Sequence, residues 1–211
     1  MCFDTSMKLV LATGNRKKVV EMAELLQDLP VQLLMATDFP DLEMPEESGR
    51  TFEENARLKS QAVAAFTGLS SLADDSGLVV DALSGRPGIY SARYAGKGCS
   101  YADNNAKLLQ ELQGVPQEKR TAHFVAVMVL TMPDGRERVA EGCCEGYITA
   151  DPRGEAGFGY DPVFVPEGYN KTFAELGPEI KNRISHRARA LKKMAAIINT
   201  ECEKQNAEIK A

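Results

Sequence analysis

The sequence predicts an α/β protein in which helices pack on a mixed β-sheet. Three observations point there. A strand, a helix and a second strand follow one another near the start of the chain. A pair of long β-rich segments later in the chain reads as a hairpin. A helical apolar stripe closes the chain. Parallel strands joined by a helix, together with an antiparallel hairpin, make a mixed sheet.

Residues 8–12 form a short apolar run that reads as a buried strand, ended by Thr13-Gly14-Asn15. From Arg16 the apolar period becomes helical through Val19, Val20, Ala23 and Leu26, up to Leu29-Pro30. Residues 31–35 are a second short strand, and an acidic loop follows through Pro40, Pro45 and Gly49. Thr51 opens a helix with Glu54 three residues on, the spacing of a capping box. That helix extends to about Phe66, with Phe52, Ala56, Val63 and Phe66 as its apolar stripe. Strands at residues 71–73 and 78–80 flank an Asp74-Asp75 turn, and Pro87-Gly88 begins a loop that lasts to Gly98. Residues 101–113 are helical. Residues 121–132 and 136–148 are the two arms of the hairpin, joined by Pro133-Asp134-Gly135. A glycine-rich stretch from Gly154 to Gly159 leads to Tyr160-Asp161-Pro162 and a strand at 163–165. The last helix starts at Ser185 and carries Ala188, Leu191, Ala195 and Ile198 on one stripe.

The chain of 211 residues has the length of one large domain or two small lobes, and no internal repeat or long linker divides it. It is 44% hydrophobic and 26% charged, the balance of an ordinary soluble globular protein. A formal net charge of −5 argues against a general nucleic-acid binder. No apolar run approaches the ~20 residues that span a bilayer, so no membrane partner is expected. The first six residues lack the basic and apolar regions of a signal peptide. The 5 cysteines show no Cys-x-x-Cys spacing, which argues against a disulfide framework or zinc site and suits the reducing cytoplasm. With 2 histidines, a His-rich metal centre is excluded.

Against this background several local patterns point to chemistry. In Ser71-Leu72-Ala73-Asp74-Asp75-Ser76-Gly77, two adjacent carboxylates repel unless a positive charge lies near them. A hard cation such as Mg²⁺ supplies one, because it prefers carboxylate and water oxygens; a solvated turn is the other reading. Thr13-Gly14-Asn15-Arg16-Lys17-Lys18 places three cations at a helix start, where the dipole favours acids. A polyanion bound there explains them, as does an exposed charge run. Lys59 sits inside an apolar stripe one turn after Asn55, and either reaches a carboxylate or phosphate near Asp74 and Asp75 or extends its ammonium to water. Glu46-Glu47, in the preceding loop, either complete a Mg²⁺ site or are solvated. Lys181 precedes Ser185-His186-Arg187, again cations at a helix start with Ser185 as N-cap. Phe158-Gly159-Tyr160-Asp161-Pro162 offers an open aromatic face for a base, or a core aromatic at a strand start. His123, mid-strand, reads as structural.

Taken in order, these segments resemble the inosine/xanthosine triphosphate pyrophosphatases, which hydrolyse non-standard purine nucleoside triphosphates. The resemblance rests on Thr13-Gly14-Asn15-x-x-Lys18, on Glu46-Glu47-Ser48-Gly49-x-Thr51-Phe52-x-Glu54-Asn55-Ala56-x-x-Lys59, and on Ala73-Asp74-Asp75-Ser76-Gly77-Leu78. It continues through Gly88-Ile89-Tyr90-Ser91-Ala92-Arg93-Tyr94, Phe158-Gly159-Tyr160-Asp161-Pro162, and Lys181 with Ser185-His186-Arg187. It covers nearly the whole chain and implies one domain over residues 1–211, with residues 1–6 as an extension. It implies an elongated two-lobed fold around a long mixed sheet, with the site in the cleft, working as a homodimer with Mg²⁺. The implied reaction turns ITP, dITP or XTP into the monophosphate and pyrophosphate, clearing deaminated purines from the nucleotide pool. By resemblance, Thr13, Gly14, Asn15, Arg16, Lys17, Lys18 and Ser76 hold the triphosphate. Asp75 is the catalytic carboxylate and a metal ligand, tuned by Asp74 or Lys59, and Glu46 or Glu47 completes the metal site. Phe158, Gly159, Tyr160, Asp161, Lys181, His186 and Arg187 form the base pocket. A pyrophosphatase for modified pyrimidine nucleotides and a non-catalytic nucleotide- or RNA-binding module are the competing readings.

Overall fold

A computed structural model describes residues 7–210; the expected extension at residues 1–6 lies outside the described residues. The strands are β1 (Met7–Leu11), β2 (Val31–Met35), β3 (Ser70–Val80), β4 (Thr121–Thr131), β5 (Glu137–Ile148) and β6 (Phe164–Pro166). The helices are α1 (Arg16–Leu26), α2 (Phe52–Thr67), α3 (Tyr101–Glu111), α4 (Phe173–Ile184) and α5 (His186–Lys210). The sheet order is β2-β1-β3-β4-β5-β6. β1 is parallel to both β2 and β3, with Met7 opposite Val31 and Leu9 opposite Ser70. β6 is antiparallel to β5. The expected mixed α/β sheet is therefore present, with its strands close to the expected positions.

Two elements differ from expectation. β3 runs unbroken through Asp74 and Asp75, where the local residues suggested a turn between two strands. Asp, Ser and Gly favour turns by local hydrogen bonding, yet here the carboxylates are neutralised by distant lysines and the strand continues. Helix α4 has no counterpart among the elements expected from the sequence, and it contains Gly177-Pro178, a pair that ordinarily interrupts a helical pattern. Gly177 is indeed non-helical, and the helix resumes after it. Its start carries a legible signal, since Thr172 and Glu175 form a reciprocal capping box. At α2, Thr51 accepts from the Glu54 amide as expected, but the Glu54 carboxylate reaches the Arg50 N–H.

The buried faces also correct two stripes. Helix α1 buries Val19, Met22 and Leu26 and leaves Val20 exposed. Helix α2 leaves Phe66 exposed and buries Asn55, Lys59 and Ser60 beside Ala56, Val63 and Ala64. Half of its inward-facing residues are thus polar.

The described residues fall into two compact units. The first holds residues 7–75, 127–141 and 190–210; the second holds 76–126 and 142–189. In the first, Val10 of β1 and Ala12 just after it pack with Val63 of α2 and Ala73 of β3. In the second, Phe124 meets Phe164 edge-on at 4.7 Å, and Phe164 stacks on Phe173 at 5.4 Å. Each fully buried aromatic of this kind contributes roughly 1.5–3 kcal/mol.

In the first unit Glu201 of α5 is buried and ties the helix to the start of β5. It accepts from Arg138 at 2.9 Å, Arg136 at 3.1 Å and Lys204 at 3.2 Å. Burial pushes the Glu201 carboxyl up, but Lys204 and Arg138 outweigh it and hold it below the usual glutamate range. A depressed carboxyl contributes stability above its unfolded pKa and loses it as pH falls. The arginines are partly exposed, so the contribution is about 1 kcal/mol. Glu201→Gln is expected to lower the melting temperature by a few degrees at pH 7. The gap between variant and wild type should close as pH falls below about 4. Thermal melts across pH check both.

Candidate active site

In the first unit the chain leaves β1 for β2 on one side and returns to β3 on the other. In open α/β sheets, ligands bind beyond the carboxyl ends of strands at such a reversal. Here that edge holds Thr13-Gly14-Asn15 after β1 and Asp74-Asp75 in β3, just past the last pair, Leu11 with Leu72. Asn15 caps α1: its Oδ1 accepts from the Lys17 amide at 3.1 Å and the Lys18 amide at 3.4 Å. Thr13 Oγ1 accepts from the Asn15 amide at 3.2 Å and fixes the turn. Arg16 and Lys17 are exposed on the first turn, and Gly14 is exposed before it. Lys18 turns inward, and its Nζ lies 3.0 Å from Oδ1 of the fully buried Asp74.

Lys59 decides the character of this region. It is 7% exposed, so its ammonium does not extend into water. Its Nζ donates to Glu47 Oε1 at 2.7 Å, to the Asp74 carbonyl at 2.8 Å and to Asp75 Oδ1 at 3.4 Å. The other Asp75 oxygen accepts from Asn55 Nδ2 at 3.2 Å, and Asn55 Oδ1 accepts from the Gly49 amide at 2.8 Å. Burial pushes the Lys59 pKa down, but Asp75, Asp74 and Glu47 overcome it and hold it above the usual lysine range. Burial also pushes the Asp75 carboxyl up, and it stays above the usual range although Lys59 and Lys18 pull it down. The two directions are compatible. One lysine gains from three carboxylates, whereas Asp75 shares that lysine and is repelled by Glu47 and Asp74.

Of the two loop glutamates, Glu47 joins this cluster and Glu46 is exposed. Among the described residues no group of three His, Cys, Asp or Glu side chains is preassembled for a metal. A Mg²⁺ ion does not need one, since it is commonly held by one or two carboxylates, waters and substrate phosphates. Glu47 and Asp75, both hard oxygen donors gathered on one ammonium, fit that mode.

The second unit holds a second cluster. Asp161 is buried, and its Oδ2 accepts from the Phe158 amide at 2.8 Å and from Lys181 Nζ at 2.7 Å. The Lys181 ammonium also lies 4.3 Å from the Phe158 ring centroid, a cation–π distance. Arg187 Cζ is 5.8 Å from the same ring, and Arg187 Nη2 donates to Ser76 Oγ at 3.0 Å. Lys181 and Arg187 are 4% and 2% exposed. Ser185 caps α5 by accepting from the Ala188 amide, as expected. His186 is buried and stacks on Phe124 at 4.6 Å, which places it against the core aromatics. Tyr160 is also buried, and burial pushes its phenol well up. Gly157 is a member that sequence reasoning missed. At φ 80° it adopts a left-handed conformation, and a Cβ there would run into the Asp161 carboxylate.

The chain matches the Ham1 family over residues 9–197. It belongs to that family. A relative from Desulforamulus reducens is 54% identical over 193 residues, covering 92% of this chain and 96% of its own. A second, from Thermus thermophilus, is 54% identical over 187 residues, covering 88% and 89%. Both relatives bear the name dITP/XTP pyrophosphatase. Among solved structures, a HAM1 protein from Coxiella burnetii superposes with a TM-score of 0.85 at 41% identity, over 92% of this chain and 99% of that one. A dITP/XTP pyrophosphatase from Mycobacterium abscessus gives 0.74 at 46% identity, over 89% and 98%. The Ham1 family is the one the motifs of this sequence resemble, and its solved members share this fold. Within the two clusters described so far, sequence reasoning left Gly49, Asn55 and Gly157 without a role. Asn55 alone carried a signal, one helical turn before Lys59.

Removing one partner of a buried ion pair strands the other. Lys59→Met is therefore expected to destabilise the protein by about 3 kcal/mol. Adding Asp75→Asn should recover part of that loss, because the stranded charge goes with it. Denaturant unfolding of the two single variants and the double variant checks the sign of the coupling.

Proposed function

We propose that this chain is a Mg²⁺-dependent nucleoside triphosphate pyrophosphatase that hydrolyses dITP, ITP and XTP to the monophosphate and pyrophosphate, clearing deaminated purines from the nucleotide pool. The carrying observation is the buried Lys59 held between Glu47 and Asp75 at the carboxyl edge of β1 and β3. The names of relatives 54% identical to it point the same way.

The residues divide the work. The Thr13–Lys18 turn offers a capped helix start with Arg16 and Lys17 exposed, suited to a polyphosphate. Lys18 and Asp74 neutralise each other, so Asp74 acts as a positioning group and keeps Lys18 in place. Asp75 is the carboxylate beside the reacting phosphate. Asn55 occupies its Oδ2, and its Oδ1 faces Lys59. Glu47 and Asp75 would hold Mg²⁺, which when bound neutralises phosphate charge and makes a water more acidic. Asp75 would orient a water on the α-phosphate and accept its proton as the pyrophosphate leaves.

In the base pocket, Phe158 offers a ring for stacking, with Lys181 and Arg187 near it. Both cations suit the 6-oxo acceptor of hypoxanthine or xanthine and oppose the 6-amino donor of adenine. Four described cysteines are free thiols, which suits the cytoplasm assigned in this reading. The reading also includes a homodimer, which sedimentation would test.

The test is pyrophosphate release from a panel of nucleoside triphosphates, with Mg²⁺ and with chelator. Release from ITP, dITP and XTP is expected only with Mg²⁺, with ATP and GTP nearly inert. Turnover of modified pyrimidine nucleotides instead would overturn the base assignment, and binding without turnover would favour a non-catalytic module. Asp75→Asn is expected to lower kcat by about 10²-fold or more; full activity in that variant would sink the role given to Asp75.

A further inference from the structure

The segment Gly88–Arg93 and helix α3 have no role in the reading above, yet both hold the turn that carries Phe158. The Tyr160 hydroxyl is buried and donates to the Ser91 carbonyl at 2.9 Å. Ser91 is itself fixed on both sides. Its Oγ accepts from the Leu78 amide at 2.9 Å and donates to the Gly88 carbonyl at 2.6 Å. One residue before the phenol's own backbone, the Gly159 carbonyl accepts from Asn105 Nδ2 of α3 at 3.0 Å. Asn104, next to it on α3, clamps the same segment from the other side. It accepts from the Ala95 amide at 2.7 Å and donates to the Ala92 carbonyl at 3.2 Å.

Two consecutive residues of the Phe158–Asp161 turn are thus tied to one scaffold by single hydrogen bonds. Neither tie uses a group that faces a ligand: the phenol is spent on Ser91, and the Asn105 donor is spent on Gly159. Asn105 is 7% exposed, and its Oδ1 makes no hydrogen bond to the protein among the described residues. A buried acceptor left open is costly, and an apolar side chain of similar size would remove that cost. The open Oδ1 offsets part of what the bond to Gly159 contributes to stability, so the clearest effect of the asparagine is on where the Gly159 carbonyl, and with it the turn, is held.

We propose that Tyr160 and Asn105 are positioning residues for the base pocket, fixing through Ser91 and Gly159 the turn that presents Phe158 and Asp161. This rests on the functional reading above. It reassigns Tyr160 from a base contact to a group that acts through its neighbours.

The expected signature separates base from phosphate. Tyr160→Phe keeps the ring and removes one hydrogen bond; Asn105→Leu keeps the volume and removes the other. Each should raise KM for ITP and weaken inosine monophosphate by about three- to tenfold, the worth of one neutral hydrogen bond. In both, kcat should stay within about twofold and pyrophosphate affinity should not change, as measured by calorimetry with Mg²⁺. Asn105→Leu removes the open Oδ1 but leaves the Gly159 carbonyl without its donor, so its melting temperature should move by no more than a few degrees; a merely structural role would not give the split between KM and kcat. Wild-type affinity for inosine monophosphate in both variants would overturn the inference. So would an equal loss of pyrophosphate affinity, the mark of general loosening. A wild-type protein that turns over no purine nucleoside triphosphate overturns the functional reading and this inference with it. An active wild type with unaltered variants overturns this inference alone.

Discussion

One ammonium group sets the terms for the first unit. Lys59 meets Glu47, the Asp74 carbonyl and Asp75 while buried at 7% exposure. Adjacent carboxylates inside a strand repel each other and lose hydration, and each term alone would favour protonation or a turn into solvent. Lys59 on Asp75 and Lys18 on Asp74 remove that drive, so β3 continues as a strand. The constraint spreads outward. Helix α2 must bury a polar face, so Asn55, Lys59 and Ser60 sit where a stripe of leucines would ordinarily be. The loop before α2 must bring Glu47 inward and set the Gly49 amide on Asn55.

How much of this was legible follows from the same physics. The strands and the parallel start of the sheet were readable, because apolar runs bounded by turn residues are local signals. Lys59 was readable as an anomaly, a charge inside an apolar stripe, with the Asp74-Asp75 pair as one of its two expected destinations; its bond to Glu47 was not readable. The Asp74-Asp75 turn was misread because Asp, Ser and Gly carry turn preferences in their own side chains. What overrides them is a lysine from α1 and another from α2, far off in sequence. Helix α4 was missed, although its capping box at Thr172 and Glu175 lay in plain view. Phe66 and Val20 were assigned to buried stripes by period alone; burial depends on what lies opposite, which a period does not encode.

The second unit shows a different kind of illegibility. Lys181, Arg187 and Phe158 were picked out as chemical types, and the structure gathers them. Asp161 was picked out as well, but not what it does: it takes both the Phe158 amide and Lys181, and it can do so only because Gly157, which was not picked out, has no Cβ. Asn105 and Ser91 act through backbone carbonyls, and a carbonyl has no identity in the sequence. Residues that touch a ligand can be guessed from their chemistry, but those that hold them are found only once the chain is folded.

Stability alone does not account for these charged clusters. A set of apolar side chains of the same volume in place of Glu47, Lys59 and Asp75 would be as stable or more so, because buried ion pairs seldom recover their desolvation cost. The same holds for Asp161 and Lys181. What the charged sets provide is orientation: Lys59 stays protonated, Asp75 keeps one oxygen on Asn55, and Lys181 is held against the Phe158 ring before any ligand arrives. Dipoles and charges fixed in advance need not reorganise when a charged substrate reacts, and that is where much of an enzyme's electrostatic advantage originates. A binding module would gain less from a carboxylate held so near its lysine, since Asp75 contributes repulsion toward a phosphate. Its presence beside the cationic turn at Thr13–Lys18 makes physical sense in the proposed reading, in which a cation and a water would share the site.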